Sequence, residues 1–317
     1  MGISKVCILG GTGFVGRHLA NRLCSSGITC IIPSRNPQRH RQLSLAGRAQ
    51  LVAYDPADSK QLASLITGCD AVINLVGILN ELGANQRFQE AHVALADRVV
   101  EACKAAGVNR LLHMSALHAN EANGPSTYLK TKGEAENRTH TLGQPQLRVT
   151  SFRPSIIFGP DDSFFNRFAG LLQSIPGPFP LACPEARFAP VYVGDVAEAF
   201  ARTLDDRQSW GQHYELCGPR VLTLKQLVEY TAKCLGKPKL IIGLSQRLSA
   251  LQARMLGMLP GKPMSYDNYL SLQVPSVCND DGLARLGIEP TDIDAVVPYF
   301  LGQKGERGRL LELRKRC

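Results

Sequence analysis

The chain has 317 residues, 44% apolar and 20% charged, which fits one large or two ordinary globular domains and excludes a disordered or fibrous chain. A formal net charge of +9 admits an anionic surface or an acidic partner, but no basic motif with interleaved aromatics accompanies it, so nucleic acid is discounted. No apolar run approaches the roughly 18 residues that a membrane-spanning helix needs.

Met1 to Lys5 pass directly into an apolar run, so neither a signal nor a transit peptide is expected. Further apolar runs occur at 28–33, 49–54, 70–76, 109–114 and 147–152, each short and bounded by Gly, Asp, Asn or Pro. Between them lie stretches of helical period at 14–26, 59–67, 87–106 and 127–140. Buried strands that alternate with helices predict an α/β fold, a doubly wound parallel sheet of the Rossmann kind.

After Pro160 the pattern changes. Pro176, Pro178, Pro180 and Pro184 mark an irregular segment from about 174 to 190. Two sheet-compatible pieces follow, Pro190 to Val193 and His213 to Leu216, with a helix from Asp195 to Leu204 between them. Thr223 is placed to cap a helix that runs to Leu235. The expected organisation is a dinucleotide-binding domain over 1–160, with returns to its sheet at about 190–216. A smaller substrate or partner lobe occupies 161–317.

Leu244, Leu248, Leu251, Met255 and Met258 recur in steps of four and three, one stripe of a helix with Arg247 and Arg254 beside it. Such a stripe usually packs on a core; with flanking arginines it also suits a membrane surface. The segment from Gln303 to Cys317 is basic, six cations against Glu306 and Glu312, which is +4 of the +9. A solvated end is its ordinary reading.

The ten cysteines show no Cys-x-x-Cys pair, and several fall inside strand or helix patterns. Reduced, buried thiols in a reducing compartment are expected, and metal binding is not. Histidines 18, 40, 92, 113, 118, 140 and 213 show no ligand spacing. Asp161-Asp162 reads as a cap for the next helix, and Asp195 as another N-cap.

Chemistry enters where the first strand ends, at Gly10-Gly11-Thr12-Gly13-Phe14-Val15-Gly16. Glycines at this spacing allow a tight turn, approach of backbone to a pyrophosphate, and close packing of helix on strand. The helix N-terminus offers N–H groups and partial positive charge to the phosphates. Further along, Ser115 follows the fifth strand, and Tyr128 and Lys132 stand one helical turn apart. An ammonium near a phenol lowers the phenol pKa, which suits Tyr128 to exchange protons with a carbonyl or alcohol. Ser115 would donate a hydrogen bond to the same oxygen. Tyr-x-x-x-Lys alone is common; with the glycine turn and the serine upstream it is a constellation.

The chain resembles the short-chain dehydrogenase/reductase superfamily on these motifs, and its length resembles the extended or atypical branch, which includes nucleotide-sugar epimerases. Arg153-Pro154-Ser155-Ile-Ile-Phe158-Gly159-Pro160, Phe164-Phe165-Asn166-Arg167-Phe168 and Pro190-Val191-Tyr192-Val193-Gly194-Asp195-Val196-Ala197 narrow it further. They are similar to the nucleotide-binding accessory subunit of mitochondrial complex I and its bacterial relatives. The resemblance covers about residues 3 to 300. It implies a bound nicotinamide dinucleotide near Asp55, Pro56, Asn74, Val76, Gly77, Pro154 and Ile157, with Ser115, Tyr128 and Lys132 as catalytic residues. Asn74 could equally serve its own turn.

NAD sites place a carboxylate at the end of the second strand, and this chain has Pro33-Ser34-Arg35-Asn36 there. Ser34 and Arg35, with Arg39 as a further candidate, suit a 2′-phosphate, so NADP(H) is expected over NAD(H). Three functions stand open. The first is an oxidoreductase moving hydride between nicotinamide and a carbonyl or alcohol, with a link to quinones. The second is a non-catalytic NADPH-holding accessory or assembly factor for complex I or ubiquinone synthesis. The third is a sugar-nucleotide epimerase or dehydratase. A cytoplasmic place is expected, with the periphery of the inner membrane as its alternative.

Overall fold

A computed structural model describes residues 2–56, 58–81, 87–258 and 264–302. The elements of the first half alternate as expected: β1 (Lys5–Leu9), α1 (Phe14–Ser25), β2 (Thr29–Ser34), β3 (Ala49–Ala53), α2 (Ser59–Ile66), β4 (Ala71–Asn74), α3 (Leu95–Ala105), β5 (Arg110–Met114), α4 (Thr127–Gly143) and β6 (Arg148–Pro154). The second half holds β7 (Ile157–Phe158), α5 (Phe165–Ser174), β8 (Phe179–Leu181), β9 (Arg187–Phe188), β10 (Val191–Tyr192), α6 (Val193–Thr203), β11 (His213–Leu216), β12 (Leu222–Thr223) and α7 (Leu224–Cys234). Then come β13 (Ile241–Gly243), α8 (Gln246–Gly257), α9 (Tyr266–Ser271), α10 (Gly282–Arg285) and α11 (Val297–Leu301).

Two compact units divide the chain: Met1–Pro154 with Gly194–Leu216 and Asp280–Ile288, and Ser155–Val193 with Cys217–Asn279 and the chain from Glu289. The main boundary thus falls at Pro154 and not at 160, and 280–288 returns to the first unit. The first unit is a seven-stranded sheet in the order β11-β6-β5-β4-β1-β2-β3, every pair parallel. Strands covered on both faces must be apolar throughout, and β1, β2 and β4 are buried almost end to end. Sequence order reverses between β1 and β4, which pair Leu9 with Asn74, and ligands of open α/β sheets bind at the carboxyl edge of such a switch.

Of the two expected returns to the sheet, only β11 joins it. β10 pairs with β7 in a separate two-stranded sheet, because two residues between Pro190 and the start of α6 leave no room for a longer strand. Asp195 lies inside the first turn of α6, which begins at Val193, and is not its N-cap. Asp162 does support α5: its Oδ1 accepts the Phe164 and Asn166 N–H groups. Thr223 caps α7 through a reciprocal box with Gln226. The second unit packs Phe158, Phe165, Phe179, Phe188, Leu227 and Val228 into its own core.

One cysteine expectation fails. Cys217 and Cys278, separated by 61 residues, form a disulfide, which no local spacing could signal. The other described cysteines are free. The basic segment 303–317 lies outside the described residues.

Candidate active site at the carboxyl edge of the sheet

β1 ends in the left-handed turn of Gly10, at φ +76°. A Cβ on Gly16 would lie 2.3 Å from the Gly10 carbonyl oxygen, so only glycine lets α1 close on the strand. Gly13 is the N-cap of α1 and supplies no side-chain cap, which leaves the first-turn N–H groups of Phe14, Val15 and Gly16 for an anion. Gly11 and Thr12 complete the turn. The residues present therefore fit a dinucleotide pyrophosphate.

Around this turn the structure sets the ends of β2, β4 and β5. Ser34 is buried, its Oγ accepting the Asn36 N–H at 3.3 Å, while Arg35 and Arg39 are exposed. Asp55 is exposed and Pro56 half-buried, just beyond β3. Asn74 does serve its own turn, since its Oδ1 accepts the Val76 N–H at 3.1 Å. Its Nδ2 faces His113 Nδ1 at 3.5 Å. A Cβ on Gly77 would lie 3.6 Å from Lys132 Nζ, so this loop passes directly over the lysine. Pro154 ends β6 in the first unit, whereas Ile157 belongs to β7 of the second.

Helix α4 carries the rest. Ser126 caps it by accepting the Leu129 N–H. Lys132 is buried and donates to the Met114 carbonyl at 2.5 Å, one residue before Ser115. Burial brings its pKa down to about 8, with Glu136 opposing the shift. The Tyr128 ring lies edge-on to Phe88 and His92, with centroids 6.0 and 5.6 Å away. Burial pushes its phenol up to about 12. This reverses the expected lowering: desolvation disfavours phenolate and is the whole cause of the rise.

A second difference concerns Ser115. Its Oγ donates to Glu136 Oε2 at 2.7 Å, so its single proton is already committed. Glu136 is buried and also accepts from Arg153 Nε at 3.0 Å and meets His213 Nδ1 at 2.5 Å. Its carboxyl is carried down to about 2: the His213 and Arg153 partners together outweigh burial, the largest single influence, which acts upward. Before Ser115 can donate to a reacting oxygen, it must release this carboxylate.

Sequence reasoning missed Glu136, Arg153, His92 and His213. Glu136 had a signal, since Tyr128, Lys132 and Glu136 follow at steps of four on one face. His92 had none: it sits on a π-helical turn, Gln89–Ala94, before α3. There its Nδ1 bonds Thr131 Oγ1 at 2.9 Å and its Nε2 accepts the Ile78 N–H at 3.1 Å. That pairing fixes a neutral imidazole, and burial pushes its pKa down to about 2. Ligand-bearing atoms of Glu136, His140 and His213 converge within 4.8 Å of one another. The Arg153 guanidinium bonds the same carboxylate, and the two imidazoles stack at 4.4 Å, so the cluster is an ion-pair network in form.

A parallel sheet with a glycine turn at its switch point, and a Tyr-x-x-x-Lys helix beside it, defines a Rossmann-type nicotinamide-dinucleotide protein of the epimerase and reductase kind. The model of the NAD dependent epimerase/dehydratase family matches residues 6–217, and the chain belongs to that family. Over 294 residues it is 27% identical to the mitochondrial NADH dehydrogenase (ubiquinone) 1 alpha subcomplex subunit 9 of Rattus norvegicus, covering 90% of this chain and 77% of that one. An NADPH-dependent quinone oxidoreductase from Escherichia coli, solved with NADPH, superposes with a TM-score of 0.72 at 22% identity, over 92% of this chain and 97% of that one. The UDP-glucuronic acid 4-epimerase of Bacillus cereus, solved with its substrate and NAD, gives 0.66 at 19% identity, over 88% and 96%. Among the described residues no helix is long and apolar enough to cross a membrane.

Proposed function

We propose that the chain is an NADP(H)-dependent oxidoreductase that reduces a carbonyl group, with a quinone as one acceptor class. The observation that carries this reading is the buried bond from Lys132 Nζ to the Met114 carbonyl, which fixes the lysine one turn from Tyr128 at the switch-point edge. When bound, the dinucleotide supplies hydride to the carbonyl carbon. Tyr128 then gives its proton to the carbonyl oxygen. Its phenol is protonated at neutral pH, which is the form that donates, while burial makes it a weaker acid than a free tyrosine. Lys132 bears the charge that stabilises the phenolate formed. Arg35 and Ser34, with no carboxylate in 33–36, support a 2′-phosphate.

A second reading, a nucleotide-holding accessory subunit of quinone-linked membrane machinery, is favoured by the likeness to the rat subunit along 90% of the chain. An epimerase ranks third, because NAD-using epimerases need the carboxylate that β2 lacks. Titration with NADPH and NADH, and assays with quinones and simple carbonyls, separate the first two. Tyr128→Phe is expected to cut turnover by about 10²–10⁴-fold and to leave NADPH affinity near wild type. Tight NADPH binding with no turnover on any carbonyl or quinone would favour the accessory reading, and turnover unchanged by the substitution would remove Tyr128 as the proton donor.

A further inference from the structure

Helix α8 is built inside out. Its inward residues are small: Ser249 and Ala253 are fully buried, and Ser249 Oγ accepts the Cys183 N–H at 3.0 Å. Its outward residues are large and apolar. Leu248, Leu251 and Met255 are 51%, 54% and 60% exposed, and Met258, just past the helix end, is 80% exposed. Four of the five stripe residues therefore face water among the described residues, whereas Leu244 precedes the helix and is half-buried. Leu240 and Ile242, at the neighbouring strand β13, are exposed too. Large apolar side chains exposed along one helix in this way mark an interaction surface.

Charge identifies the occupant. From Glu229 to Asp267 the intervening chain has no carboxylate and six cations, Lys233, Lys237, Lys239, Arg247, Arg254 and Lys262. Lys239 is committed to the carbonyls of Leu172 and Ile175, and Arg254 lies over the Tyr266 ring at 4.9 Å. Arg247 and Arg254 are exposed beside the stripe. A second copy set on this face by a twofold axis would bring those cations against themselves. A surface that takes up hydrocarbon and offers anions satisfies both features at once. We infer that the α8 face docks on the headgroup region of an anionic bilayer, with the leucine and methionine stripe entering shallowly and the arginines at the phosphates. The inference is independent of whether the first unit turns substrate over.

The test uses the full chain with vesicles of phosphatidylglycerol and phosphatidylcholine, or of phosphatidylcholine alone, across a sodium chloride series. Partition onto the anionic vesicles is expected, weakening as salt rises. Leu251→Glu with Met255→Glu should lower that partition about tenfold or more, with thermal midpoint and oligomeric mass unchanged. Arg247→Gln with Arg254→Gln should weaken it on anionic vesicles alone, and Leu251→Gln with Met255→Gln repeats the first test should the glutamates disturb folding. Absence of partition onto anionic vesicles at low salt would overturn the proposal. So would undiminished partition of the apolar-face variants, which would place binding elsewhere, as at the basic segment 303–317. A molar mass that halves in those variants would make the face an interface between copies and overturn it as well.

Discussion

Two helices break the amphipathic rule in opposite senses. In the first unit, α4 turns Thr131, Lys132, Glu136 and Thr139 inward, so its buried face is polar and charged. In the second, α8 buries Ser249 and Ala253 and gives Leu248, Leu251 and Met255 to water. Each inversion costs stability, and neither is explained by packing within its own unit. The buried charges of α4 are all partnered, which is the arrangement of groups held for chemistry. Leu248, Leu251 and Met255 of α8 are exposed among the described residues, which is the arrangement of a surface held for association. Local conflict with patterning is where function is expected in an otherwise consistent sequence.

The difference should be largest in acid. All seven histidines fall in the first unit and none in the second. Burial, as the main cause, holds His92, His113 and His140 down to about 2, 3 and 4. Their ordinary value is 6.5, so the unfolded chain takes up protons that the folded chain refuses. Their stability contribution is whole above pH 6.5 and is lost as pH falls toward the folded values, by up to about 1.4 kcal/mol per pH unit for each histidine. Glu136 adds a second loss, beginning near its ordinary 4.5 and ending near 2. Urea titrations between pH 7.5 and 4.5 should show stability falling well above the carboxylate range. A flat profile down to pH 5 would mean that these imidazoles charge within the folded protein.

Next in size is the removal of one partner from the α4 network. Glu136→Ala leaves Arg153 without its carboxylate and frees the Ser115 hydroxyl, and a loss of about 3–5 kcal/mol is expected. Leu251→Gln on α8 should stay within about 0.5 kcal/mol, since it removes no buried contact. Denaturant midpoints of the two variants, measured side by side, check the contrast; equal losses would show that α8 is covered after all.

Much of this architecture was legible because parallel strands buried on both faces must read as unbroken apolar runs. Lys5–Leu9 and Ala71–Asn74 left little choice. The glycine turn was legible for a steric reason, since no side chain fits at Gly16. What escaped depends on distant or opposing terms. The Cys217–Cys278 bond joins positions 61 apart, and β10 pairs with β7 where a return to the main sheet was expected. At the candidate site, Tyr128 and Lys132 were readable from their spacing. The commitment of Ser115 to Glu136 was not, because Arg153 and His213 reach that carboxylate from β6 and β11. The sign of the Tyr128 shift was misjudged, since periodicity reports neighbours along a helix and says nothing of how dry they are.

The smallest expected effect bears on what the first unit holds. Arg35 is exposed at the end of β2, and its contact with a 2′-phosphate would be charge-assisted but open to solvent. Arg35→Asp reverses that charge and supplies the carboxylate that a ribose hydroxyl prefers. NADPH affinity should fall about tenfold, worth roughly 1.4 kcal/mol, while NADH affinity holds or rises. Calorimetric titration of both nucleotides against wild type and variant reads the difference directly. An equal fall for the two would remove Arg35 from the 2′ position and leave Arg39 as the cation to try. The α8 face should not register the change, so vesicle partition of Arg35→Asp is expected to match wild type, which keeps the two inversions experimentally separate.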